Sequence, residues 1–362
     1  MRVVIAGGGT GGHLFPGLAV ARALKARVPA AQISFAGTAA GIEARVVPPA
    51  GFELDLIRSG GLKGKSAAAV LRGFGLLPLS AIDAWRVITR RKPHVVIGVG
   101  GFSSGPIVGI AAARGTPTML LEQNAVPGIT NRLLAPLVKS AAVSYDTSLA
   151  YFGTKAFVSG NPVREEFLHV TDSAITAASV RVLIFGGSQG AHAINVAVAE
   201  AAPRLARPGH PPAISLVCQT GARDYDMVRE AFQRSGVQGR VERFIDAMDR
   251  EVNDAGLIVS RAGATTLAEI TAAGRPAILI PLPTATDDHQ RKNAEALRTA
   301  GAAEVIEQSH LTGALLAERI LALAADGETR RAMSAAARRL AKPDAARRIV
   351  DAVLKLAGHR GP

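Results

Sequence analysis

The sequence predicts an α/β protein of two Rossmann-like, doubly wound domains facing a central cleft. Three observations carry that expectation. Residues 2–13 read RVVIAGGGTGGH and residues 181–192 read RVLIFGGSQGAH, an ungapped match identical at seven of twelve positions. Each copy is a short β-branched run, a glycine-rich turn and a segment of helical periodicity. That is the opening of a β–loop–α unit, in which backbone N–H groups and a helix N-terminus can approach an anion. Continuous apolar runs also alternate with helical stretches along the chain, the pattern of parallel strands covered on both faces. Finally, 362 residues suit two domains of roughly 100–200 residues each. Two such units half a chain apart point to a nucleotide-type ligand held between them.

Strands are expected at residues 2–6, 33–36, 95–99, 118–121 and 141–144, then at 182–185, 214–218, 257–260 and 277–280. The uncharged window 95–113 has the length of a membrane span, but it contains five glycines, two serines and Pro106. It reads instead as strand, glycine loop and helix start. Asn161-Pro162, after Ser159-Gly160, marks a crossing between domains. Pro343 interrupts an alanine- and arginine-rich helical region and marks a second crossing, with a last helix over 345–357 returning to the first domain. The expected division is 1–160 with 344–362, against 161–343.

Hydrophobic residues make up 48% and charged residues 20%, which describes a globular chain with ample core. The 42 Lys and Arg exceed the 29 Asp and Glu, a net charge of +13 that favours an anionic partner. Only 4% of residues are aromatic and none alternates with a basic run. There is no stacking platform for single-stranded nucleic acid, and nucleic acid is not expected as a partner. Cys218 is the single cysteine, which excludes an intramolecular disulfide and a cysteine-based zinc site and suits a reducing compartment. The chain passes from Met1 into a strand without a signal-peptide pattern, so a cytosolic protein with no membrane span is expected.

Glycine loops follow four of the strands: GGGTGG at 7–12, GVGGFSSG at 98–105, GGSQG at 186–190 and RAGA at 261–264. In open α/β sheets, ligands lie beyond the carboxyl ends of strands, where these loops fall. Gly7, Gly9 and Gly12 satisfy GxGxxG, but the acid that should end the second strand is missing, and the next is Glu43 in a helical stretch. That argues against a dinucleotide and for glycines that permit a tight turn. His13 follows the open loop Thr10-Gly11-Gly12 at a helix start. There a neutral imidazole, favoured by the helix N-terminus, can accept a proton from an attacking hydroxyl. His192, in the second copy, reads as a polar residue at a helix start.

Glu269 lies a turn and a half into the helix that begins at Ala264. It is a solvated helix acid or a carboxylate for a ribose diol, with the helix N-terminus facing a diphosphate. Asp224-Tyr225-Asp226 has the form of a DxD metal signature, but precedes a helix whose N-terminus favours acids anyway, and we read it as a decoy. No His, Asp or Glu cluster has convincing metal-ligand spacing, with Asp287-Asp288-His289 the one to watch. Val70, Phe74, Leu77, Ala81, Trp85 and Ile88 recur at helical spacing, with Pro78 expected to break the stretch in two. Lys63, Lys65, Arg72, Arg86, Arg90, Arg91 and Lys92 surround them. This face either packs into the core or rests on an acidic membrane surface.

Residues 7–17 (GGGTGGHLFPG), 98–106 (GVGGFSSGP), 122–124 (EQN), 160–164 (GNPVR), 186–191 (GGSQGA) and 260–269 (SRAGATTLAE) together resemble the MurG family. These enzymes transfer N-acetylglucosamine (GlcNAc) from UDP-GlcNAc to undecaprenyl-diphosphate-linked N-acetylmuramyl pentapeptide. The motifs keep their order from the first strand to the final helix. The resemblance implies the GT-B fold, with UDP-GlcNAc held mainly by the second domain and the lipid acceptor by the first. It implies that Thr10, Gly11 and Gly12 border the sugar and acceptor and that Asn124 bonds sugar hydroxyls. Arg164 and Ser188 would contact the nucleotide and Ile245 the uracil. Ala264, Thr265, Thr266, Leu267, Ala268 and Glu269 would form the diphosphate-and-ribose helix, and Gln290 would bond the sugar. Two departures stand out. Phe102 stands where the family often has Tyr, and the 288–290 segment has one glutamine where some relatives have two.

By that resemblance the muramyl 4-hydroxyl attacks the anomeric carbon opposite UDP and inverts the α-linked donor to a β-1,4 product, in the service of peptidoglycan synthesis. No cofactor and no metal are implied, since helix N-termini and Arg164 can stabilise the departing diphosphate. His13 is the candidate base. The enzyme would sit peripherally on the cytoplasmic face of the cell membrane, with acidic lipids as partners, docked through Leu71, Phe74, Leu77, Leu79 and Trp85. A UDP-GlcNAc 2-epimerase or a non-catalytic nucleotide-sugar-binding protein would share the loops without needing a basic apolar face.

Overall fold

The computed structural model describes residues 1–60, 76–176, 179–187, 189–206, 213–285 and 288–358. The chain divides into two compact units, Met1–Arg164 with Lys342–Pro362, and Glu165–Ala341. In unit 1, strands β1 (Arg2–Gly7), β2 (Gln32–Gly37), β3 (Glu53–Leu56), β4 (Val95–Gly100), β5 (Thr118–Glu122), β6 (Ser140–Val143) and β7 (Ala156–Val158) form one parallel sheet. Its order is β3-β2-β1-β4-β5-β6-β7. In unit 2, β8 (Val180–Phe185), β9 (Ile214–Gln219), β10 (Gly239–Glu242), β11 (Leu257–Ser260), β12 (Ala277–Leu279) and β13 (Ala303–Val305) are ordered β10-β9-β8-β11-β12-β13, again parallel. Both sheets are doubly wound. Strand order reverses between β1 and β4 and between β8 and β11, so the four glycine loops sit at the two switch points.

Helices cover both faces. Unit 1 carries α1 (Gly11–Arg27), α2 (Glu43–Val46), α3 (Leu77–Arg91), α4 (Ser104–Ala113) and α5 (Ile129–Leu134). Unit 2 carries α6 (Ser173–Thr176), α7 (His192–Leu205), α8 (Tyr225–Ser235), α9 (Met248–Asp254), α10 (Ala264–Ala273), α11 (His289–Thr299), α12 (Gly313–Ala325) and α13 (Gly327–Leu340). A last helix, α14 (Ala345–Leu356), belongs to unit 1. Alternation along β1 shows why the strand is apolar throughout. Val3 and Ile5 pack with Leu14, Leu18 and Ile349 on one side, and Val4 and Ala6 with Val96, Ile107 and Leu120 on the other.

The nine strands expected from sequence all form. The four they omit, β3, β7, β10 and β13, are the four sheet edges. An edge strand is covered less completely and need not be an unbroken apolar run. Glu53-Leu54-Asp55-Leu56 alternates, and Gly239-Arg240-Val241-Glu242 holds one apolar residue.

Two expectations need correction. Residues 161–164, assigned by sequence to the second half, belong to unit 1, where the Arg164 guanidinium lies 4.7 Å over the Phe15 ring of α1. The chain re-enters that unit at Lys342, packed where a Cβ on Gly160 would lie 2.4 Å from the Lys342 Cβ. Pro78 sits in the first turn of α3, where the N–H it lacks would have no intrahelical partner, and the part of the stretch before it lies outside the described residues. The helical stripe also splits. Ser80, Ala84, Val87 and Ile88 face the core, while Leu77, Leu79, Ile82 and Trp85 are exposed, Trp85 by 53%. Val70, Leu71, Phe74, Lys63, Lys65 and Arg72 lie outside the described residues.

Unit 2 is pinned by a fully buried guanidinium. Arg275 donates from Nε to Val252 O (2.9 Å) and from one terminal nitrogen to Thr171 O (2.6 Å) and Asn253 O (2.7 Å), and burial pushes it down to about 10. Replacing it removes the donor from Thr171 O and Asn253 O, at roughly 1–3 kcal/mol for each that water cannot reach, while Val252 O keeps the Ala255 N–H at 3.3 Å. Arg275→Leu should therefore lower the unfolding temperature of unit 2 by several degrees in calorimetry, with Arg275→Lys in between. A shift within one degree would contradict the assignment.

Candidate functional site

In unit 1 the glycines exist because two loops touch. A Cβ on Gly7, at φ +143°, would lie 2.5 Å from Gly100 O, and one on Gly101, at φ +80°, would lie 2.7 Å from Gly8 O. The turn after β1 thus packs directly on the turn after β4. Thr10 is extended and caps α1 by position, so Gly11 and Gly12 form its first turn, not the open loop expected. His13 completes that turn. Its Nδ1 lies 3.2 Å from Thr10 Oγ1, and its ring packs on Gly100, whose Cβ would stand 2.8 Å from the imidazole Cδ2. The Phe102 ring lies beside Gly9.

Asn124 follows β5 and is held by a neighbour that sequence reading did not single out. Glu122 is buried. Its carboxyl accepts from the backbone and side-chain N–H of Asn124 (2.9 and 3.1 Å), from Gly128 N–H (3.0 Å) and from Asn131 Nδ2 (2.9 Å). Burial pushes this carboxyl above the ordinary carboxylate range against the pull of those donors. The network shapes the loop that presents Asn124.

In unit 2 the GGSQGA turn interlocks with the loop after β9. A Cβ on Gly190 would lie 1.8 Å from Thr220 O, and one on Gly221 would lie 2.1 Å from Gln189 O. Gln219 donates to Gly187 O (2.9 Å) and accepts from Ile245 N–H (2.8 Å), so one buried side chain positions both the turn and Ile245. Gly263 precedes α10, whose residues Ala264, Thr265, Thr266, Leu267, Ala268 and Glu269 follow β11 at the switch point, with Glu269 half-buried. Arg261 ties this turn to the exit of β12, donating to Ile280 O (3.0 Å), Pro281 O (3.1 Å) and Gln308 Oε1 (2.6 Å). Gln290, in the first turn of α11, accepts from Leu282 N–H at 3.0 Å. Ser188 lies outside the described residues.

The structure brings Thr10, Gly11, Gly12 and His13 into one turn, with Arg164 on Phe15 of the same helix. It places Ile245, Gln290 and the start of α10 at carboxyl ends in unit 2. Glu122, Gln219, Arg261 and Glu43 were missed. Glu122, Gln219 and Arg261 are polar at or just beyond the end of a strand, which is the one signal that could have marked them, whereas Glu43 opens α2 six residues after β2 and carries no such signal. Asp224 is occupied: it accepts from Asn195 (2.9 Å) and pairs with His192 Nδ1 (3.0 Å). Desolvation opposes its charge, but these hydrogen bonds prevail and hold its carboxyl below the ordinary value. Asp226 meets Arg229 at 3.4 Å, and Asp288 pairs with Arg291. Asp287 lies outside the described residues. Among the described residues, no three His, Cys, Asp or Glu side chains gather as a metal site. Cys218 is buried, which pushes its thiol up to about 12.

Comparison with known proteins places this architecture. The glycosyltransferase family 28 N-terminal domain matches residues 3–143 and the family 28 C-terminal domain matches residues 181–349. The UDP-N-acetylglucosamine–N-acetylmuramyl-(pentapeptide) pyrophosphoryl-undecaprenol N-acetylglucosamine transferase of Anaeromyxobacter sp. (strain K) is 45% identical over 362 residues, 99% of this chain and 94% of the relative. The crystal structure of Acinetobacter baumannii MurG superposes with a TM-score of 0.74 at 30% identity, covering 98% and 99% of the two chains. A UDP-GlcNAc 2-epimerase from Neisseria meningitidis reaches a TM-score of 0.68 at 15% identity over 98% of this chain and 100% of that one, a likeness of fold alone. The chain belongs to glycosyltransferase family 28 and, within it, to the MurG family of N-acetylglucosaminyltransferases with the GT-B fold.

Proposed function

We propose that this enzyme moves GlcNAc from UDP-GlcNAc to the 4-hydroxyl of undecaprenyl-diphosphate-linked N-acetylmuramyl pentapeptide. The observation that carries the reading is 45% identity over 99% of the chain to a transferase of that name, joined to a unit 2 in which Gln219 ties the 186–190 turn to Ile245 and Arg261 ties the turn after β11 to the exit of β12, beside which Gln290 accepts from Leu282 N–H. Unit 2 holds the donor. The α10 N-terminus and the 186–191 turn receive the diphosphate, Glu269 the ribose diol, Ile245 the uracil and Gln290 the sugar, with Ser188 and Arg164 as further nucleotide contacts. Unit 1 holds the acceptor beside Thr10, Gly11 and Gly12, with Asn124 on sugar hydroxyls.

In the transfer, the acceptor oxygen forms a bond to the anomeric carbon as the bond to the diphosphate breaks from the opposite face. The electron pair leaves with UDP, the hydroxyl proton passes to His13, and the sugar inverts from α to β. No metal takes part in this scheme. UDP release that requires the lipid-linked acceptor tests the reading, and a changed sugar without acceptor would favour epimerisation.

The acceptor's undecaprenyl chain stays in the bilayer, so the enzyme must come to it. Among the described residues no helix is long and apolar enough to cross a membrane. The exposed Leu77, Leu79, Ile82 and Trp85 of α3 support peripheral docking on the cytoplasmic face, with Arg86 and Arg90 on the same helix. The Arg114 guanidinium lies 4.4 Å over the Trp85 ring and donates to Thr89 Oγ1 at 2.6 Å.

Three outcomes are expected. Glu269→Ala should weaken UDP binding by about 1–3 kcal/mol in calorimetry, and unchanged affinity would remove Glu269 from the ribose. His13→Ala should lower kcat by about 10²–10⁴-fold and leave UDP affinity alone, whereas near-parental kcat with the lipid acceptor would end its role as base. Acidic vesicles should sediment the protein at low salt and release it as salt rises or when Ile82 and Trp85 are both changed to Ser. Undiminished vesicle binding by that pair would move the docking face elsewhere on unit 1.

A further inference from the structure

Glu43 opens α2 and is fully buried, yet no step of the transfer uses it. Its carboxyl is shared between two loops. Oε2 accepts from Gly9 N–H at 2.8 Å, while Oε1 accepts from Thr38 N–H at 2.8 Å and from the Thr38 hydroxyl at 3.0 Å. Three glycines make the room. A Cβ on Gly8 would lie 2.5 Å from the carboxyl carbon, one on Gly37 2.5 Å from Glu43 Cγ, and one on Gly41 2.2 Å from Oε2. The loop held in this way runs through Gly8 and Gly9 at φ +156° and +82°, backbone that glycine tolerates but has no reason to prefer. Such a turn stays in one conformation only if something outside it holds it there.

In a dinucleotide-binding turn the N–H groups of this loop face a ligand phosphate. Here the Gly9 N–H is taken by a side chain of the protein. One residue further on stands Thr10, whose hydroxyl meets His13 Nδ1. We propose that Glu43 is a positioning residue for the acceptor half of the reaction, its carboxyl occupying the place of a phosphate and holding the 7–10 turn in shape before any substrate arrives. The first glycine loop is then a preformed wall that aims His13, not an anion cradle, and the Gly9 N–H is not offered to the acceptor's diphosphate. This rests on the transferase reading given above.

Glu43→Gln keeps the size but turns an amide N–H₂ toward groups that are themselves donors; Glu43→Asp keeps both acceptors on a shorter stem. With the full chain, amide hydrogen exchange over residues 7–12, UDP affinity and kcat with the lipid acceptor are measured together. In Glu43→Gln, exchange in that peptide should rise at least tenfold and kcat fall at least tenfold, with UDP affinity within twofold of the parent. Glu43→Asp should recover part of both losses. Parental exchange over 7–12, or faster exchange with kcat within twofold, would overturn the proposal. If Glu43→Gln loses UDP affinity as well, its fold has failed and Glu43→Asp decides by the same two readings. Absence of transfer by the parent chain would instead sink the transferase reading, and the exchange comparison would still decide whether Glu43 holds the turn.

Discussion

The close approach of loops that leave neighbouring strands of each sheet is the constraint on which the rest depends. Turns after adjacent parallel strands leave the sheet side by side, about one strand spacing apart. To touch backbone to backbone they must carry no side chain where they meet. Gly7 against the Gly100 carbonyl and Gly190 against the Thr220 carbonyl are such meetings. The helix starts that follow, at Gly11 and His192, are thereby brought to the carboxyl edge of the sheet. A β-carbon at either glycine would separate the turns and carry the helix start with it.

Glycine permits these conformations without selecting them, and buried polar side chains do the selecting. Glu43 holds Gly9 and Thr38, Glu122 holds the loop of Asn124, Gln219 holds Gly187 and Ile245, and Arg261 holds the exits of β11 and β12. Each satisfies backbone groups that would otherwise be orphaned away from water, which is the condition for burying a polar residue. The loops that carry Asn124 and Ile245 are supported from beneath by these buried groups. The two halves also use their repeated sequence differently. In the second copy His192 is tied to Asp224, whereas in the first His13 meets a threonine hydroxyl and glycine backbone.

Charge is distributed in the same spirit. Arg91 of α3 is committed to Asp55 and Glu53 on the edge strand β3, whose carboxylates push it further up. Arg86 and Arg90, on the helix that carries Trp85, reach Asp83 and Asp55 but remain exposed by 73% and 65%. Cations that keep most of their surface in solvent beside exposed apolar side chains suit an acidic lipid surface, where insertion and attraction act together.

The sequence alone determined the two-domain α/β class, the nine central strands and the family, because each is written in local signals: unbroken apolar runs, glycine spacing and ordered motifs. It also marked His13, Asn124 and Glu269, which stand inside those motifs. Four edge strands escaped it, since charged residues interrupt β3, β10 and β13 and β7 is only three residues long. It could not tell that Trp85 is exposed and Ile88 buried, although both fit one helical stripe, because burial depends on what packs opposite. It read Glu43 as an unremarkable helix acid and assigned nothing to Gln219. Only the tertiary structure, by bringing residues 34 and 26 positions apart into hydrogen-bond contact, decided that these two side chains hold the loops. A hydrogen bond of that kind leaves no periodicity in the chain.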